Sequence, residues 1–171
     1  LADIATRYPI DNLVNNVGLT ANANIEAITP EHYTAVMEAN VAATIAATQA
    51  VLPSMRARKR GRIVNIASRA MLGRAGRSVY SAAKAGIVGL TRTLALELAA
   101  DGITVNCVSP GPIATDNFLA LNPRVGNEPS ALEKAVPMQR LGTPREVAVA
   151  IAYFVSDDAA FTTGQVLHVC G

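Results

Sequence analysis

The sequence predicts an α/β fold, a doubly wound parallel sheet with helices on both faces. Three observations carry this reading. Four short apolar runs alternate with longer helical patterns. The runs are continuous rather than alternating between apolar and polar, which marks strands buried on both sides. Two of the helical stretches are apolar on more than one face, so each needs the sheet on one side and a second partner on another.

A chain of 171 residues suffices for one domain with a sizeable core, so residues 1–171 are read as a single unit. It is 50% hydrophobic and 16% charged, with 15 basic against 13 acidic residues. A net charge of +2 gives no case for nucleic acid or for an anionic membrane as partner. Aromatic residues make up 4% and Trp is absent, so platforms for stacking bases or sugars are not expected. Cys107 and Cys170 stand in separate apolar runs and are expected to be two buried free thiols of a reduced, cytoplasmic compartment. His32 and His168 have no partners at metal or triad spacing, so no metal is expected.

Leu1–Pro9 (LADIATRYP) reads as the tail of a helix ended by Pro9, with no secretory signal. A start in mid-helix creates the expectation that further residues precede Leu1. Asn12–Gly18 (NLVNNVG) is a buried strand with its exit loop. Thr29-Pro30-Glu31 starts a helix that runs to about Arg58. Its Ala-rich run carries Glu38, Asn40 and Gln49 and meets Pro53, which argues against a membrane span.

The basic cluster Arg56, Arg58, Lys59, Arg60 and Arg62 is read as a solvated helix C-terminus with Gly61 as the stop, rather than as an anion or nucleic-acid patch. Arg62–Ala67 is the second strand and Ser78–Ala100 the second long helix. Ile103–Val108 is the third strand, closed by Ser109-Pro110-Gly111-Pro112. Ala114–Val136 is the least regular stretch and reads as a lid or binding loop. Thr143-Pro144-Arg145-Glu146 begins a last helix through Phe154, and Gln165–Val169 is the final strand.

In parallel sheets of this kind ligands sit at the carboxyl ends of strands. Asn15 and Gly18 follow the first strand, Ser68 the second, and Pro110–Thr115 the third. The stretch Asn65–Glu97 carries the chemistry. Tyr80 and Lys84 are one helical turn apart, which stacks a phenol and an ammonium on one face. A phenol titrates near about 10 and needs a drop of about 3 units, roughly 4 kcal/mol, to act as an acid or base near neutrality. A cation one turn away in a low-dielectric pocket supplies much of that.

Four motifs in order carry a family likeness: Asn15-Asn16-Val17-Gly18, Asn40 in the following helix, Ser68 with Tyr80-x-x-x-Lys84, and Pro110-Gly111-Pro112-Ile113-x-Thr115. Over its whole length the chain resembles the short-chain dehydrogenase/reductase family, most of all the bacterial 3-oxoacyl-acyl-carrier-protein reductase group. The resemblance implies a Rossmann-type fold and an NADP or NAD cofactor, NADP preferred. The implied substrate is a small carbonyl compound or its alcohol.

By that likeness Tyr80 moves the proton on the substrate oxygen, and Lys84 assists it and bonds the nicotinamide ribose. Ser68 holds the carbonyl oxygen, and Asn40 binds a relay water or else simply bonds backbone. Pro110, Gly111 and Ile113 receive the nicotinamide, with Thr115 at its amide or the pyrophosphate. Asn15, Val17 and Gly18 line the adenosine side, with a strand-locking role also open to Asn15.

Val17 stands where the family has Ala, and slight displacement of the adenosine is expected. Cys170 stands where the family has Asp. No G-x-G-x-x-G loop occurs, so the chain is expected to lack the N-terminal Gly-rich βαβ portion, on the order of 60 residues or more. A homodimer or homotetramer through residues 29–58 and 78–100 is expected. The competing reading is a non-catalytic oligomerising homologue or fragment that binds no cofactor.

Overall fold

The computed structural model describes residues 4, 7–121 and 130–171. Four strands form one sheet: β1 (Asn12–Asn15), β2 (Gly61–Ile66), β3 (Ile103–Pro110) and β4 (Val166–Val169). They lie side by side in chain order, and all three pairings are parallel. The predicted α/β architecture is the one observed.

Alternation along the strands divides the core between the two faces. Leu13, Ile63, Ile103 and Val105 pack on one side with Val51, Met55, Ala95 and Leu98. Val64, Ile66 and Val108 pack on the other with Ala150 and Phe154. The first side is covered by α2 (Ala43–Arg58) and α3 (Ser78–Leu98), the second by α6 (Pro144–Val155). Covering is incomplete at β1, where Val14 is 41% exposed.

The first long helix is not uniform. It begins as α1 (Pro30–Met37), passes through a π-helical turn at Glu38–Ala42 and continues as α2. Pro30 fills the first turn, where its missing N–H costs nothing, and the Thr29 hydroxyl accepts the His32 N–H at 3.2 Å. The widened turn falls on Asn40, a candidate site residue, and such turns are frequent at functional sites. The helix Pro30–Arg58 has the length and hydropathy to cross a membrane. Here it buries Val36, Val51 and Met55 inside the domain instead.

Several expected boundaries shift. Lys59 at φ 50°, not Gly61, takes the left-handed position that ends α2. Gly61 already belongs to β2, where a Cβ would lie 2.6 Å from Met55 Sδ, so packing rather than turning requires the glycine. Strand β3 runs two residues beyond Val108, because Ser109 and Pro110 pair in register with His168 and Val169. The α-helical part of α3 stops at Leu98, and a 3-10 turn over Ala99–Asp101 follows.

The stretch expected to be irregular contains α4 (Asp116–Leu121) and α5 (Ala131–Lys134), the latter opened by a Ser130–Glu133 capping box. Residues 122–129 of it, and most of the expected opening helix, lie outside the described residues.

Candidate active site

The carboxyl ends of β1 and β2 bring together residues far apart in sequence. Asn15 and Asn65 are register partners. Asn15 Nδ2 donates to Asn65 Oδ1 at 2.8 Å and to Thr48 Oγ1 at 3.4 Å. Asn65 Nδ2 donates to Thr91 Oγ1 at 2.9 Å, and that hydroxyl donates to the Ile87 carbonyl at 2.8 Å. This buried ladder ties β1, β2, α2 and α3 together directly below the site. Both amide hydrogens of Asn15 are used in it, so these bonds describe the strand-locking role.

The ladder continues along α2. Thr48 donates to the Thr44 carbonyl and Thr44 to the Asn40 carbonyl, at 2.8 and 2.9 Å. Asn65, Thr91, Thr44 and Thr48 were not singled out from the sequence. The available signal was a polar residue, Asn65, in an otherwise apolar strand.

Asn40 is 1% exposed, and its Nδ2 donates to the Val36 and Leu19 carbonyls at 2.8 and 2.9 Å. Its Oδ1 is buried without a partner. An orphaned buried acceptor is costly and points to a missing donor. The location is marked by Gly18: a Cβ there would sit 2.8 Å from Asn40 Oδ1 and 3.3 Å from Lys84 Nζ. Asn40, Lys84 and the Gly18 backbone thus converge on one point.

Lys84 is 5% exposed and donates from Nζ to the Ile66 carbonyl at 2.8 Å. Nζ lies 5.7 Å from the Tyr80 ring centroid. Burial pushes the ammonium down from 10.5 to about 8. It therefore carries a charge near neutrality that a small rise in pH removes.

Ser68 follows β2 at the start of the 3-10 turn Arg69–Leu72, and its hydroxyl oxygen accepts the Ala70 N–H at 3.2 Å. That bond orients the oxygen and leaves its proton to donate. The Arg77 guanidinium lies over the Tyr80 ring, with Cζ 6.0 Å from its centroid.

Beyond β3, the chain passes close under the end of β4. Gly111 N–H donates to the Val169 carbonyl at 2.9 Å, and a Cβ on Gly111 would lie 2.7 Å from Cys170 Cβ. Ile113 is buried and bridges to Gly142. The Thr115 hydroxyl accepts the Phe118 N–H at 3.2 Å, so it caps α4 while keeping its proton free to donate. Pro112, Ile113 and Gly142 line a recess of about 200 Å³ that also takes in Met138, His168 and Cys170.

Other candidates settle simply. Val17 is 69% exposed, so its extra methyls crowd no protein group. Cys107 is fully buried, and burial holds its thiol up at about 11. Cys170 is only half-buried, contrary to expectation, because it lies past the last paired residue of β4. The basic cluster is shared among three carboxylates: Arg56 and Lys59 on Asp101, Arg58 on Asp11, Arg60 and Arg62 on Asp157. Among the described residues no group of His, Cys, Asp and Glu could hold a metal ion.

Comparison with known proteins is decisive about kinship. A family model described as enoyl-(acyl carrier protein) reductase matches residues 2–171. A crystal structure of an oxidoreductase of the short-chain dehydrogenase/reductase family from Burkholderia thailandensis aligns with a TM-score of 0.91. Its identity is 37%, over 99% of this chain and 67% of that one. The chain belongs to the short-chain dehydrogenase/reductase family.

Within the family, it is 44% identical over 162 residues to (2S)-[(R)-hydroxy(phenyl)methyl]succinyl-CoA dehydrogenase subunit BbsD of Thauera aromatica. It is 42% identical over 163 residues to the 3-oxoacyl-[acyl-carrier-protein] reductase FabG of Vibrio cholerae. Each alignment covers 95% of this chain but only 64% and 66% of the two relatives, so the chain spans about two thirds of their length.

Proposed function

We propose that the protein is an NAD(P)-dependent oxidoreductase that reduces a carbonyl to a secondary alcohol, or runs the reverse. A 3-oxoacyl thioester is the first substrate to test and NADPH the preferred cofactor. The observation that carries the reading is the convergence of Lys84 Nζ and the unpartnered Asn40 Oδ1 beside Gly18, with Tyr80 one turn away.

The residues present fit a nicotinamide cofactor. Glycine at 18 lets the backbone pass close to Asn40 and Lys84, and the orphaned Asn40 oxygen needs a donor such as a water. Asn15, Val17 and Gly18 would hold the adenosine side. Tyr80 and Lys84 would hold the ribose, and Pro110, Gly111, Ile113 and Thr115 the nicotinamide. When bound, the cofactor supplies or accepts the hydride.

The chain's own residues handle the oxygen and its proton. As negative charge builds on the substrate oxygen, the O–H groups of Ser68 and Tyr80 donate to it, stabilising the transition state more than the ground state. Tyr80 then gives up its proton. The Lys84 ammonium lies beside the phenol, with Nζ 5.7 Å from its ring centroid. Lys84 and Asn40 share a position from which a water returns a proton to the phenol.

The test is turnover of a 3-oxoacyl thioester by the full-length gene product. Tyr80→Phe is expected to lower kcat by roughly 100-fold or more, and unchanged turnover sinks the assignment. Enoyl reduction, named in the description of the family model, is read in the same assay with a 2-enoyl thioester. Saturable quenching or enhancement of NADPH fluorescence excludes the non-catalytic reading. Assembly as a dimer or tetramer is proposed through the two long helices, where Ile45 and Leu96 are 38% and 85% exposed. A monomeric mass at micromolar concentration counts against it.

A further inference from the structure

The arginines differ in whether a carboxylate faces them. Those around the end of α2 all face carboxylates of Asp11, Asp101 or Asp157. Between Ser68 and Tyr80 the chain carries Arg69, Arg74 and Arg77 and no acidic residue at all. Among the described residues, none of these three makes an ion pair.

Arg69 and Arg74 are exposed, but Arg77 is half-buried against the Tyr80 ring, 6.0 Å from its centroid. Its backbone is held on three sides. The N–H donates to the Arg74 carbonyl at 3.2 Å, the carbonyl accepts the Ser81 N–H at 2.8 Å, and the residue bridges to Ala23. Arg77 is also the N-cap of α3 and makes no capping bond, and the first turn contains no acid. Free N–H groups and the helix dipole therefore add positive potential at the same place. Burial first, then the charge on Arg74, lowers the Arg77 pKa. That is the penalty for keeping a cation here without a counter-ion.

We infer that Arg77 binds an anionic group carried by the substrate itself, a few bonds from the reacting carbonyl. The substrate class is a short oxo or hydroxy carboxylic acid, with Arg69 and Arg74 drawing it in from the rim. Contact between Arg77 and the Tyr80 ring sets the reach: the anion must lie close to the group that Tyr80 protonates. A carboxylate one or two carbons away satisfies this, whereas the phosphates of a thioester carrier lie many bonds away and reach only the rim. The inference rests on the carbonyl-reductase reading above and replaces its first substrate to test, a 3-oxoacyl thioester, with a free short-chain acid.

The experiment compares three probes with either cofactor in the full-length protein: acetoacetate, its neutral ethyl ester, and acetoacetyl-CoA. Arg77→Gln is expected to lower kcat/KM for acetoacetate roughly 10- to 100-fold, mainly through KM, since a charge-assisted carboxylate contact is lost. Turnover of the ester and of the CoA thioester should fall clearly less than that of acetoacetate, and Arg77→Lys should recover part of the loss by keeping a point charge. Calorimetric binding of 3-hydroxybutyrate should disappear in Arg77→Gln.

Equal losses on acetoacetate and the ester, or an ester reduced while acetoacetate is not, overturn the inference. Should no probe turn over, the reductase reading fails, and the binding measurement still decides whether Arg77 holds a carboxylate.

Discussion

Lys84→Met isolates the cost of burying a charge at the centre of the site. The ammonium is depressed from 10.5 to about 8 because it is desolvated. At about 1.36 kcal/mol per unit, holding it protonated in the fold costs roughly 3 kcal/mol. Its bond to the Ile66 carbonyl returns about 1 kcal/mol of that. A Met side chain of similar length fills the same space, so the variant should be more stable than the parent by about 2 kcal/mol at pH 7 while losing activity.

The pH dependence makes the reasoning sharper. Between pH 8 and 10.5 the unfolded chain holds the proton that the fold has released, so stability of the parent rises with pH in that window. The parent should therefore gain roughly 2–3 kcal/mol on the variant between pH 7 and pH 10. Cys107 works in the opposite direction, since its thiol is held up at about 11. Its charge interacts with that of Lys84, so the comparison is made with Cys107→Ala in both proteins. The assay is urea unfolding of both proteins at pH 7, 8.5 and 10. A stability difference that stays constant with pH refutes the claim that Lys84 is buried charged and desolvated.

Three further outcomes are expected. Gly18→Ala places a methyl 2.8 Å from Asn40 Oδ1 and 3.3 Å from Lys84 Nζ. Since Asn40 is pinned by two backbone bonds, turnover should fall by about tenfold or more while stability drops by less than about 1 kcal/mol, and unaltered kinetics would contradict the convergence. Asn65→Leu leaves the Asn15 amide and the Thr91 hydroxyl without their partner and should cost about 3 kcal/mol, read as a shift in the urea midpoint. Glu146 is held down at about 2, first by Arg140 and then by the Thr143 backbone and hydroxyl. Its contribution is complete above about pH 4.5 and is lost as pH falls through about 2, so the stability cost of Glu146→Gln should be full at pH 7 and shrink steadily as pH falls from 4.5 towards 2. A gap that persists in acid would contradict the ion pair.

The share of the site that was legible in the sequence follows from the range of the interactions. Tyr80 and Lys84 could be paired by inspection because helix geometry alone stacks residues four apart. The strands could be recognised as buried from their unbroken apolar runs, and the order of Gly18, Ser68 and Pro110–Thr115 placed each after a strand. These are local consequences of backbone periodicity, and they needed no partner to be known.

What depends on partners was decided by the tertiary structure. Asn65 became a ladder residue only when register set it against Asn15, fifty positions away. The basic cluster reads in the sequence as a solvated helix C-terminus, and the fold sets Asp157, Asp101 and Asp11 against it. Lys59 rather than Gly61 turns the chain, because Gly61 is needed where Met55 packs on β2. Arg77 had no readable role in the sequence, and acquired one when the fold stacked it on Tyr80 and left it without a carboxylate. Periodicity is written into a single segment, whereas the pairing of buried polar groups and of charges is a property of which segments the core brings together.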